Sequence, residues 1–279
     1  MAIQHLDSGQ VSMFIISLLS DFGHNDPYVA EMKAVILSIN PQARIVDITH
    51  SIEKFSIRMG AYVLASVAPY FPPNTIHVAV VDPGVGTKRR PIIAETNRSL
   101  YVGPDNGLLM LAAHKEKIIN VYQIDNPKYI LSKVSKTFHG RDIFAPAAAH
   151  LSRGTSPSDF GLAIQDYVFP EFAKPHMERG ELVGEVLHID DFGNIISNIS
   201  AEALELYGVH EGDSLLVTLG SKKLNMPFCS AYGEVPVGTI LALIGSSNLL
   251  EVAVNQGIAS KILEADVGDL FCVSAVDSS

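Results

Sequence analysis

The sequence predicts an α/β protein with two domains. The first is an N-terminal, mostly parallel sheet flanked by helices, and the second a smaller C-terminal antiparallel β-barrel. Short apolar runs alternate with amphipathic stretches as far as Gly161, the pattern of a buried parallel sheet with helices on its faces. A segment after Asp166 carries two prolines and no periodicity, Phe169-Pro170-Glu171-Phe172-Ala173-Lys174-Pro175, and reads as a linker. Beyond Gly180 the runs are short, β-rich and separated by turn signals such as Glu211-Gly212-Asp213, which suits a small barrel or sandwich. The expected boundaries are residues 12–166 for the first domain, 167–179 for the linker and 180–279 for the second domain.

In chain order, residues 1–11 read as a loose extension. The run Met13–Leu19 is too short to span a bilayer and lacks a basic leader or small-residue cleavage site, so no signal peptide is expected. Phe14–Leu19 reads as the first strand. Pro27 opens a helix with Val29, Met32, Val35, Ile36 and Ile39 on one face, and Pro41 stops it. Ile45–Ile48 is a strand, Ile57–Phe71 a helix ended by Pro72-Pro73, and Ile76–Val81 a strand. Further strands are expected at Ile92–Glu95 and Ser99–Val102, and helices at Leu108–His114 and Ile143–Leu151. In the second domain, strands are expected at Leu182–Ile189, Asn194–Ile199, Ser214–Leu219, Thr239–Leu243, Leu250–Val254 and Leu270–Val273, with one helix at Ala201–Leu206.

Of the 279 residues, 47% are hydrophobic and 18% charged, which describes a chain with a substantial core rather than a disordered one. Thirty acidic against 20 basic residues leave a formal charge of −10, and the one compact basic run is Lys88-Arg89-Arg90. Sequence-independent nucleic-acid binding needs many phosphate-neutralising side chains and is excluded on that ground. Cys229 and Cys272 form no CxxC pair and read as reduced, buried thiols of a cytoplasmic protein. His24, His50 and His188 stand apart and no carboxylate cluster has ligand spacing, so neither a metal nor another cofactor is expected.

Ligands of parallel α/β sheets bind beyond the carboxyl ends of the strands. That rule selects Ser20-Asp21-Phe22-Gly23-His24-Asn25-Asp26 after the first strand and Asp82-Pro83-Gly84-Val85-Gly86-Thr87 after the third. It also selects Val102-Gly103-Pro104-Asp105-Asn106-Gly107 after a later one. Thr137-Phe138-His139-Gly140-Arg141 precedes a helix and places His139 at its entrance. Each piece has a plainer reading. Asp-Phe-Gly lacks the accompanying kinase motifs, Gly84–Lys88 lacks the Walker spacing, the Pro-Gly turn could merely reverse the chain, and His139 could cap a helix or fill a core.

Taken together, these loops resemble the S-adenosylmethionine (SAM) hydroxide adenosyltransferases, which are related to the SAM-dependent fluorinase and chlorinase. The resemblance runs from about Phe14 to Val273. It is carried by Ser20-Asp21-Phe22-Gly23, Asp47-Ile48-Thr49-His50-Ser51, Val81–Thr87, Pro104-Asp105-Asn106-Gly107, Phe138-His139-Gly140-Arg141-Asp142, Asp190-Asp191-Phe192-Gly193-Asn194, Gly245-Ser246-Ser247 and Glu251–Asn255. It implies hydrolysis of SAM to adenosine and L-methionine, with the hydrolase trio falling on Asp82, Arg89 and His139. Water rather than halide is the implied nucleophile. Gly140 stands where the halogenases have a halide-holding serine, and Arg90 passes directly into a strand where they carry an insertion.

The same resemblance implies that Asp21 grips the ribose hydroxyls, that Phe55 lies beside the sugar and sulfonium, and that Phe192, Asn194 and Tyr232 form the adenine pocket. Asp26, Asp190, Ser246 and Ser247 would hold the methionine end, while Asp105, Asn106, Phe138 and Glu251, in the shared motifs, complete the substrate-binding set. The chain departs from the common pattern at Asn248-Leu249, where Gly-Tyr is usual. A homotrimer with intersubunit sites is also implied.

Chemically the trio suits this reaction. The sulfonium leaves as a neutral thioether and needs no general acid, whereas bulk water, with a pKa of ~15.7, is a poor nucleophile. Arg89 and His139 would stabilise hydroxide character at one water, and Asp82 would orient the cation and hold the second proton. Two other readings share the pocket: a SAM- or adenosine-binding sensor without turnover, and a halide-dependent adenosyltransferase.

Overall fold

The computed structural model describes residues 14–275, so the expected N-terminal extension lies outside the described residues. The chain divides into two compact units that meet between Pro170 and Glu171.

In the first unit, β1 (Ile15–Ser20), β2 (Arg44–Thr49), β3 (Ile76–Val80), β4 (Pro91–Thr96), β5 (Leu100–Pro104) and β6 (Ile118–Gln123) form one sheet in the order β2-β1-β3-β5-β4-β6. Neighbours are parallel from β2 through β5, and only β4 runs against both of its neighbours. The sheet is therefore mixed but mostly parallel. Alternate residues of its strands feed two cores. Leu18 and Val80 pack with Met32 and Ile36 of α1 (Tyr28–Ile39), while Leu19 and Val81 pack with Leu64 of α2 (Ile57–Val67). The helix α3 (Met110–Lys115) joins the second core and α4 (Ala145–Leu151) the first, so helices cover both faces.

Pro27 opens α1 and the Asn40 N–H closes it on Ile36 O at 2.8 Å. Ser56 caps α2, its hydroxyl accepting from Met59 N. The expected helix to Phe71 is shorter: Pro69 has no N–H to donate and crowds the preceding turn, so α2 ends at Val67 and a 3₁₀ turn, Ala68–Tyr70, follows. The strand β6 was not expected; it lies at the sheet edge with only Val121 buried, and so lacks a buried run. The helix expected from Ile143 begins only at Ala145, because Ile143 and Phe144 belong to a π-helical turn, Gly140–Phe144, a local widening often found at functional sites.

The second unit contains β7 (His176–Glu178), β8 (Glu181–Ile189), β9 (Ile195–Ser200), α5 (Ala201–Leu206), β10 (Ser214–Leu219), β11 (Lys222–Cys229), β12 (Ile240–Ile244), β13 (Leu249–Val254), α6 (Ala259–Leu263) and β14 (Leu270–Ala275). The strand order β14-β10-β11-β12-β13-β9-β8 closes on itself through the β14–β8 pairing, giving a barrel with β7 added on the outer edge of β8. All its pairings are antiparallel except β11–β12, which corrects the uniformly antiparallel expectation. The helix α6 is likewise an addition, and β7 falls within the stretch expected to be linker. Leu215, Val217, Phe228, Val252 and Phe271 fill the barrel core. Among the described residues no helix is long and apolar enough to cross a membrane.

Phe271 is fully buried in this core, whereas Phe192 is 78% exposed. Phe271→Ala is therefore expected to cost about 3–5 kcal/mol and Phe192→Ala less than about 0.5 kcal/mol, read from urea denaturation.

Candidate active site

The strand β1 is flanked by β2 on one side and β3 on the other, so the chain's winding reverses between β1 and β3, where the ends of two loops diverge and leave a crevice. A cavity of about 580 Å³ opens there, lined by Asp21, Phe22 and Asp26 after β1, Asp82 after β3, and Phe138 and His139 before the π-helical turn.

The loop Asp82–Arg89 folds back on itself. Val85 N donates to Asp82 O and Thr87 N to Gly84 O, both at 3.2 Å, and Thr87 Oγ1 also donates to Gly84 O at 2.7 Å. Gly86 lies at φ +74°, and a Cβ there would sit 2.2 Å from Lys136 O. Only glycine allows this loop to press against the segment leading into His139. The Pro-Gly turn does reverse the chain, and the reversal is what brings Arg89 back over Asp82.

Arg89 Nε donates to Asp82 Oδ1 at 3.0 Å, and Arg89 Nη2 donates to Asp82 Oδ2. The side chains of this pair are only 9% and 5% exposed, and the Arg89 guanidinium lies 5.3 Å from the Phe144 ring centroid. Nη2 also lies 2.9 Å from His139 Nδ1. A guanidinium cannot accept a hydrogen bond, so Nδ1 accepts and the neutral ring carries its proton on Nε2. His139 makes no side-chain helix cap and borders the cavity, which sets aside the capping and core readings. Its pKa is held below the ordinary 6.5 by burial first and then by the Arg89 charge, with Asp82 and Asp142 partly offsetting. Arg89 Nη1 is buried without a hydrogen-bond partner among the described residues.

Around the trio, Asp21 is 7% exposed, and its Oδ2 accepts from Phe55 N at 3.0 Å. Lys54 Nζ donates to Asp21 O. Phe55 takes φ +67° and is 68% exposed, a strained conformation for a bulky residue. Phe22, Tyr28 and Phe138 pack edge to face or tilted, with centroids 5.1–5.7 Å apart. Arg141 stands over Phe138 and bonds both Glu31 and Asp142.

Asp105 and Asn106 are not brought to the cavity. Asp105 accepts from Arg90 Nε and Nη2 and from Val168 N, while Asn106 donates to Val81 O and accepts from Leu108 N. Both are occupied in tying the loop after β5 to its neighbours. Conversely, Lys54, Glu31, Tyr28 and Arg141 line the cavity without having been expected. Arg141 lies inside the Phe138–Asp142 motif; the other three have no signal short of the fold.

In the second unit, Asp190 closes an Asx turn by accepting from Phe192 N, Asn194 N and Asn194 Nδ2 at 2.8–3.0 Å. Tyr232 Oη donates to Glu251 Oε2 at 3.3 Å. Burial raises the Glu251 pKa, Tyr232 opposes the shift and the Asp190 charge adds to it. Ser246 is exposed, whereas Ser247 Oγ is buried without a hydrogen-bond partner among the described residues. Asn248 takes φ +63°, so where the common pattern has glycine this chain uses a residue that tolerates the left-handed region. Among the described residues no group of three or more His, Cys, Asp or Glu could hold a metal ion.

Comparison with known proteins finds relatives over most of the chain. Residues 16–161 match the SAM hydroxide adenosyltransferase N-terminal domain and residues 184–272 its C-terminal domain. A curated (R)-S-adenosyl-L-methionine hydrolase of Thermus thermophilus is 39% identical, covering 89% of this chain and 94% of its own. One of Salinispora arenicola is 37% identical, covering 93% and 97%. The crystal structure of an uncharacterized conserved protein from Thermotoga maritima superposes with a TM-score of 0.85 at 38% identity, over 92% of this chain and 99% of that one. With both domains matched in order over most of its length, this chain belongs to the SAM hydroxide adenosyltransferase family.

Proposed function

We propose that this chain hydrolyses SAM to adenosine and L-methionine at the cavity beside Asp82, Arg89 and His139. The observation that carries the reading is the polarity of the trio: a buried, charge-paired guanidinium donates to His139 Nδ1 and leaves Nε2–H as the ring's donor. Donors converging on one oxygen lower the pKa of water held there and stabilise the hydroxide it becomes. Hydroxide forms a bond to C5′ as the C5′–S bond breaks, and its electron pair goes to sulfur to give the neutral thioether of methionine. The water's proton passes to solvent. Each Asp82 oxygen accepts from Arg89, so Asp82 orients the guanidinium, and each keeps a further lone pair with which to hold the water's second proton.

The Asp21 carboxylate takes the two ribose hydroxyls, with Phe55 beside the sugar and sulfonium. Phe138 packs the wall next to His139, and Asp26 holds the methionine end with Asp190, Ser246 and Ser247. Phe192, Asn194 and Tyr232 receive adenine, and Glu251 supports that pocket through its bond with Tyr232. The reaction consumes one SAM and one water and draws on no cofactor. A homotrimer with intersubunit sites belongs to the same reading, supported by the exposed aromatic side chains of Phe55 and Phe192. A cytoplasmic location is supported by the two free cysteines, Cys229 and Cys272. Halide transfer is disfavoured by packing: a Cβ on Gly140 would lie 3.1 Å from the Phe138 ring and 3.2 Å from Met32 Sδ, leaving little room for a serine.

Incubation with SAM in ¹⁸O-labelled water is expected to give adenosine carrying one label and unlabelled methionine. Binding without adenosine formation would favour the sensor reading, and 5′-halo-adenosine in added chloride or fluoride the halide reading. Arg89→Ala and His139→Ala should each lower kcat by roughly 10²–10³-fold while adenosine affinity changes little; equal loss of both would assign the residues a structural role. Protonation of His139 places a proton on Nδ1 against the Arg89 cation, so activity falls as pH drops through the lowered pKa. The acid limb of kcat/KM is accordingly expected below pH 6.5, and a limb above that value would contradict the arrangement.

A further inference from the structure

His50 is 1% exposed, and its imidazole lies between two strand ends, outside the trio. Its Nδ1 is 2.7 Å from Ser20 Oγ, and its Nε2 is 3.2 Å from Asp47 Oδ1. Lys33 Nζ donates to Asp47 Oδ2 at 2.6 Å. Nε2 faces the Asp47 carboxylate as a close contact without hydrogen-bond geometry, so the one side-chain hydrogen bond that holds the His50 ring is the one it shares with the Ser20 hydroxyl through Nδ1. Ser20 Oγ in turn accepts from Phe22 N at 3.3 Å. The residue between those two contacts is Asp21.

The backbone repeats the clamp. His50 O accepts from Gly23 N at 2.7 Å, and Ile52 N donates to Ser20 O at 3.4 Å. The turn carrying Asp21 is thus held at both ends by one residue. On its first side that residue acts through a side-chain bond between buried groups, since Ser20 is also 1% exposed. A buried hydroxyl–imidazole bond is costly to break, because each partner is left unsatisfied.

We propose that His50 is a positioning residue for substrate recognition: through Ser20 it fixes the turn that presents the Asp21 carboxylate to the cavity, and so sets selectivity for a ribose bearing both hydroxyls. The inference rests on the reading of Asp21 as the ribose ligand. A carboxylate can accept from two neighbouring hydroxyls only if both of its oxygens are held in one orientation. A turn free to rotate keeps the charge but loses the paired geometry.

The test measures binding of adenosine and 2′-deoxyadenosine by calorimetry to the full-length wild type, Asp21→Asn, Ser20→Ala, His50→Gln and His50→Asn. A glutamine amide reaches the place of Nε2 and keeps the Asp47 contact alone, whereas an asparagine amide occupies that of Nδ1 and keeps the Ser20 bond. The wild type is expected to prefer adenosine by roughly 10-fold or more, the scale of one charge-assisted hydrogen bond, and Asp21→Asn to erase that preference. Ser20→Ala and His50→Gln should lower it several-fold, with the change in SAM turnover falling mainly on KM, and His50→Asn should restore most of it. Should His50→Gln fail to fold, Ser20→Ala carries the comparison. Wild-type selectivity in Ser20→Ala, or His50→Asn behaving like His50→Gln, would overturn the positioning role while leaving Asp21 as the ligand. No preference in the wild type would overturn the Asp21 reading and this inference with it.

Discussion

Arg89 has only donors to offer, and in this chain they are divided between a carboxylate and an imidazole. The fork of Nε and Nη2 closes on Asp82, and the same Nη2 reaches His139 Nδ1. That single guanidinium decides the state of both neighbours. It fixes the orientation of the Asp82 carboxylate, occupies the one ring nitrogen of neutral His139 that could take a proton, and turns His139 into a donor. A buried ion pair is costly to assemble and contributes little net stability when intact, so its placement at the cavity is better understood through the reaction than through the fold.

The fold serves that one contact. Asp82 leaves the end of β3 and Arg89 returns to it because two successive turns fold the intervening loop, with Gly86 allowing the close approach to Lys136 O. His139 arrives from a separate segment, and the buried Asp142 holds that segment by accepting from Ser135 N at 2.7 Å and from Arg141 Nε. The π-helical turn that begins at Gly140 seats His139 at its entrance without a side-chain cap. The ring is therefore free to pair with Arg89 instead of the backbone.

Much of this was legible in the sequence where physics is local. The strands β1 and β3 are runs buried on both faces, and α1 is bracketed by Pro27 and Pro41, so pattern alone located them. The loops after β1 and β3 followed from the rule for strand ends. Where burial is one-sided, the signal fades. In β11, Leu224, Met226 and Phe228 alternate toward the core, but Lys222, Lys223 and Pro227 mask them, and β6 is an edge strand with a single buried residue. The site shows the same limit. Asp105 and Asn106 lie in a polar strand-end loop like Asp21, yet their partners Arg90, Val168 and Val81 occupy them. The tautomer of His139 depends on a contact 50 residues away, and no local pattern encodes it.

The central claim is that His139 is a neutral ring protonated on Nε2 because Arg89 donates to Nδ1. Nitrogen-15 NMR of the labelled protein at neutral pH reads both ring nitrogens directly. The account predicts a protonated Nε2 and an unprotonated, hydrogen-bonded Nδ1 for His139, with that Nδ1 signal perturbed in Arg89→Ala. A proton found on Nδ1, or a doubly protonated ring at neutral pH, would contradict it.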